Sequence, residues 1–94
     1  MNNIEVSKNT LKVAVENEYK KRIQSLGLVK TGTMLRSIKA VIKTQEELDI
    51  SIESTDYFKK FDLEYNITDY VLKQPSVIKA IDDVISDMIF KDSF

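Results

Sequence analysis

Apolar residues recur through the first quarter of the chain at the spacing of an α-helix. Ile4, Leu11, Val15, Tyr19, Ile23 and Leu26 are separated by three or four residues, or by seven, their sum. That spacing places them on one stripe and predicts a helix over roughly residues 4–26. Lys12, Glu16, Lys20 and Lys21 fall largely on the other side. Ser7 or Asn9 offers a later capped start. Gly27 suits the position just past the helix end, where a left-handed backbone is needed. Lys20, Lys21 and Arg22 in the last turns complement the negative end of the helix dipole.

The period then changes from 3.6 to 2. After a connector, Leu28-Val29-Lys30, Thr31 or Thr33 can cap a short helical turn over Met34–Ser37. Beyond it Ile38, Ala40, Ile42 and Thr44 alternate with Lys39, Val41 and Lys43. Gln45-Glu46-Glu47 makes a polar turn, and Leu48, Ile50 and Ile52 alternate with Asp49, Ser51 and Glu53. This is the pattern of an antiparallel hairpin with one buried face.

Periodicity does not decide the segment from Ser54 to Asn66. Phe58, Phe61 and Tyr65 have helical spacing, whereas Phe61, Leu63, Tyr65 and Ile67 alternate as a strand. The favoured reading is a short helical turn near Tyr57–Phe61 followed by an extended piece. Pro75 marks a boundary and suits the first turn of a helix. Val77, Ile78, Ile81, Val84, Ile85, Met88 and Ile89 then form an almost unbroken apolar stripe, with Asp82, Asp83, Ser86 and Asp87 facing away. A helix is expected from about 75 to 91. The order of elements predicts an α+β fold: a long N-terminal helix, an antiparallel β-hairpin or small sheet, and a C-terminal amphipathic helix.

Length and composition narrow the function. Ninety-four residues make one domain, spanning 1–94, with a thin core to which a neighbouring subunit could add burial. The sequence contains neither Cys nor His. Disulfides, thiolate nucleophiles, Ser-His-Asp arrangements and the usual transition-metal sites are therefore excluded. No run of about 20 apolar residues exists to span a bilayer. The first residues lack the basic flank and apolar stretch of a secretory signal, so a soluble product made in the cytoplasm is expected. Charge is lopsided: residues 1–43 carry nine Lys and Arg against three Glu, and residues 44–94 carry five Lys against twelve Asp and Glu. Either the halves interleave and the asymmetry cancels, or a positive face of one copy meets a negative face of the next.

Candidate chemistry is sparse. The two glycines form no phosphate loop. Asp83 and Asp87 share a helix face, but no calcium-loop geometry accompanies them, and a solvated face is the favoured reading. Lys20, Lys21, Arg22, Lys30, Arg36, Lys39 and Lys43 are the candidate nucleic-acid patch. Three consecutive bases on a helix fan out over roughly 200° and cannot meet one phosphate backbone, which argues against direct DNA binding. Tyr57, Phe58, Phe61, Tyr65 and Tyr70 serve either the core or an interface. No catalytic, cofactor or metal site is expected, and no enzyme.

One stretch is more specific. Thr31-Gly32-Thr33-Met34-Leu35-Arg36-Ser37-Ile38 resembles the TG-x-LR-x-SI signature of the minor tail component, tail-completion or neck-protein family of tailed bacteriophages. The spacing from Gly32 to Leu35 is shifted by one residue. Tyr57 and Asp62 resemble that family's tyrosine and acidic positions, and Gln74-Pro75 and Ala80 resemble the opening of its final helix. Glu64-Tyr65-Asn66 stands where the family commonly has a Gly-Thr pair. The resemblance implies that Thr31, Gly32, Leu35, Arg36, Ile38, Tyr57 and Asp62 form a structural or interface motif, with Asp62 or Glu64 as the partner of Arg36. It also implies a non-enzymatic virion protein of the head–tail junction, made in the host cytoplasm. Such a protein forms an oligomeric ring with copies of itself and binds other neck and tail proteins. The alternative is a small nucleic-acid-binding or regulatory module.

Overall fold

The computed structural model describes residues 3–27, 38–54 and 56–90. The order is α1 (Asn3–Ser25), β1 (Lys39–Lys43), β2 (Asp49–Glu53), α2 (Asp56–Tyr65), α3 (Ile67–Leu72) and α4 (Pro75–Phe90). The α+β architecture matches the pattern in the sequence: a long first helix, a two-stranded antiparallel sheet and a last helix.

The stripe on α1 forms the floor of the core. Leu11, Val15, Tyr19 and Ile23 are fully buried, and Ile4 nearly so. Ser7 does not begin the helix. It lies within it, buried, and its hydroxyl donates to the Ile4 carbonyl at 3.1 Å, so its polarity is satisfied by its own helix. Gly27 follows the last turn with φ 68°, the left-handed conformation that ends helices at low cost to glycine.

The last helix packs antiparallel along the first. Ser76, in its first turn, donates to Glu18 at 3.2 Å, while Asp83 and Asp87 lie against Val6, Ser7 and Thr10 near the other end of α1. Val77, Ala80 and Val84 close on Leu11 and Val15, with Ile81 and Met88 at the margin. Pro75 occupies the first helical position, where its missing N–H costs nothing.

The hairpin is in register Ala40↔Ile52 and Ile42↔Ile50, with Lys39 opposite Glu53 and Lys43 opposite Asp49. Opposite charges thus face each other at both ends, which favours this register over a slip. Ala40 is buried, whereas Ile42, Ile50 and Ile52 are half-buried against the core.

The segment expected to be extended after Phe61 is helical. α2 runs on to Tyr65, Asn66 adopts φ 53°, ψ 45°, and α3 starts at once. Asparagine is the non-glycine residue best able to take this left-handed geometry, so it turns the chain from one helix into the next with no intervening loop. The alternation of Phe61, Leu63, Tyr65 and Ile67 that resembled a strand therefore spans a helix–helix corner. Leu63 is 84% exposed, which a core-facing strand residue would not be.

Candidate interaction surfaces

Of the residues singled out in the sequence, Thr31, Gly32, Leu35 and Arg36 lie outside the described residues, as do the expected connector and short turn around them. Ile38, the last of that stretch, is buried and leads into β1. Tyr57 falls in the first turn of α2, with its side chain outside the described set. Asp62 is the site residue whose role the geometry defines.

Asp62 caps α3 from the preceding helix. Its Oδ1 accepts the Thr68 backbone N–H at 2.7 Å, and its Oδ2 accepts the Thr68 hydroxyl at 2.7 Å. Asn66, at the N-cap position, makes no side-chain cap bond, so Asp62 supplies the acceptor that helix terminus needs. Thr68 Oγ1 in turn accepts the Tyr19 hydroxyl at 2.5 Å. A partly buried chain, Tyr19 to Thr68 to Asp62, thereby ties α1 to the α2–α3 corner. Burial pushes the Tyr19 phenol up to about 12; the Thr68 hydrogen bond works against that rise and the Asp62 charge adds to it. The expectation of Asp62 or Glu64 as partner for Arg36 rests on a residue outside the described set. Among the described residues Asp62 serves Thr68, and Glu64 is exposed.

Glu16 was expected on the solvent side of α1 and is instead half-buried. Its Oε2 accepts both the Lys12 ammonium at 2.8 Å and the Ala40 backbone N–H at 2.9 Å. Burial would raise its carboxyl pKa, but the bonds from Lys12 and Ala40 and the charges of Lys12 and Lys20 outweigh it. The net shift is below the ordinary value of 4.5. The sequence signal was the Lys12–Glu16 pair at i, i+4; that it also holds a strand depends on a segment 24 residues away.

Among the described residues, several of the basic side chains have local partners. Lys21 lies 3.5 Å from Glu18. Arg22 stacks its guanidinium 4.0 Å from the centre of the Tyr70 ring, a cation–π contact. Lys39 and Lys43 belong to the hairpin, opposite acidic residues. Among the described residues no group of three acidic side chains is placed to hold a metal ion. No helix described is long and apolar enough to cross a membrane.

The C-terminal stripe is wider than the core can take. Ile78, Ile85 and Ile89 are 46%, 40% and 64% exposed. Spaced seven and four apart, they lie within roughly 40° of one another on α4. Val6 and Val13, seven apart, form a shorter exposed pair on α1.

These features define a small α+β protein in which Glu16 and Asp62 join its elements and the last helix carries apolar residues in solvent. The chain matches no family model, no curated protein and no solved structure.

Proposed function

We propose that this protein is a non-enzymatic structural component of a tailed-bacteriophage virion, acting at the head–tail junction as an oligomeric ring. The observation that carries the reading is the exposed row Ile78, Ile85 and Ile89. A domain of this size gains from covering such a row with a neighbouring copy, since each isoleucine removed from water adds about 1–2 kcal/mol. The resemblance of Thr31–Ile38 to the neck-protein signature supports the viral setting. The asymmetry of charge along the chain suits head-to-tail contacts between unlike surfaces.

The function under this reading is geometric. Each copy binds its twins laterally and different neck and tail proteins axially. Light scattering on the purified chain across a concentration series, with electron microscopy of the same samples, tests it. Ring-sized particles, or association with isolated phage connectors or tails, are expected. A monomer at every concentration that ignores both connectors and tails would remove the proposal.

A further inference from the structure

We propose that the outer edge of β2 is a docking edge for an extended segment of a partner protein with the pattern Lys–apolar–any–apolar–Lys. This stands apart from where the protein works and from whether it forms rings.

The phase of the hairpin ladder is set by one bond. Because the Ala40 N–H points away from β2 to Glu16, Ala40↔Ile52 and Ile42↔Ile50 are non-hydrogen-bonded pairs. The intervening residues Asp49, Ser51 and Glu53 therefore turn their backbone groups toward β1. Ile50 and Ile52 turn theirs to the opposite side. The two edges of the sheet are then unlike. The β1 edge meets α1, where Glu16 already takes the Ala40 N–H and Lys12 pairs with Glu16 beside it. Beside β2 no third strand lies among the described residues, and the Ile50 and Ile52 N–H and C=O groups point away from β1. Such an edge is a template for strand addition.

Charge selects the occupant. Asp49 and Glu53 are exposed and four residues apart. On the outer edge they sit at non-hydrogen-bonded positions, where facing side chains come closest. A second copy paired β2 to β2 about a two-fold axis would set Asp49 against Glu53 twice, so self-pairing is disfavoured. A strand with lysines four apart would instead meet both carboxylates. β1 solves the same problem from the other side, with Lys39 on Glu53 and Lys43 on Asp49. The apolar positions between the lysines would extend the half-buried face of Ile50 and Ile52.

The test titrates the isotope-labelled full chain with the capped peptide Lys-Val-Thr-Val-Lys, following amide shifts and hydrogen exchange. Before addition, the Ile50 and Ile52 amides should exchange freely while the Ser51 amide, bonded to Val41, is protected. Addition should shift residues 49–53 with a Kd of ~1 mM or tighter, and should protect Ile50 and Ile52. The peptide Glu-Val-Thr-Val-Glu should bind at least about tenfold more weakly. Ile50→Pro, which deletes an outward N–H and no ladder bond, should abolish binding. Should that variant not fold, Asp49→Asn with Glu53→Gln should weaken the lysine peptide about tenfold. Protection of Ile50 and Ile52 without peptide, equal binding of the two peptides, or shifts centred on Ala40 and Ile42 would each overturn the proposal.

Discussion

The seam between α1 and α4 and the hairpin beside it are built on different principles. In the seam Leu11, Val15, Val77 and Val84 have no solvent exposure, and the joint needs little polar help. In the hairpin Ile42, Ile50 and Ile52 are only half-buried, and among the described residues the Glu16 carboxylate pins β1 to α1. Helix-on-helix packing secures itself by removing apolar area from water. A two-stranded sheet offers too little such area and relies on a directed hydrogen bond. Stability is global in the seam and local in the hairpin.

The largest effect should come from the seam. Leu11→Ala leaves a cavity against α4 and is expected to cost about 2–5 kcal/mol, lowering the melting temperature by about 10 °C or more. All amides, those of the hairpin included, should lose protection together. Loss confined to one region would show that the seam is not the common support.

Next is Tyr19→Phe, which removes the hydroxyl from the chain to Thr68 and Asp62. A cost of about 1–2 kcal/mol is expected, read by denaturant titration. The wild-type phenol is raised in the folded state, so the stability it contributes is complete below its unfolded value near 10 and is lost as pH rises toward about 12. Tyr19→Phe should flatten that alkaline loss. An unchanged alkaline profile would mean that another group titrates there.

Glu16→Ala should act locally. It strips the Ala40 N–H of its acceptor and is expected to cost about 1 kcal/mol, with faster exchange at Ala40 and little change in the seam. Its carboxyl is lowered in the folded state, so its contribution is present above the ordinary value of 4.5 and is lost as pH falls through the folded value. Comparing the acid limb of stability in wild type and Glu16→Ala checks the sign.

The smallest change in stability should follow Ile85→Lys, within about 0.5 kcal/mol, because the side chain is already partly in solvent. Self-association, in contrast, should fall sharply by light scattering. An unaltered oligomeric state would detach the apolar row from the proposed function.

Period and punctuation alone determined the long helix, the hairpin and the last helix. The stripe from Ile4 to Ile23, the alternation across residues 38–52, and Pro75 with its apolar run are local signals. Each follows from side chains one turn or one pleat apart. The corner at Asn66 was not legible in that way. Phe61, Leu63, Tyr65 and Ile67 satisfy two periods at once, and a left-handed Asn leaves no mark in hydrophobicity. Which polar groups matter was decided by tertiary structure alone. Glu16 looks like any solvent-side helix acid until Ala40 arrives from 24 residues away, and Tyr19 looks like any core aromatic until Thr68 and Asp62 close on it. The physical reason is range. Burial is written as a pattern along the chain, whereas a hydrogen bond between distant segments exists only once packing has brought its donor and acceptor within 3 Å.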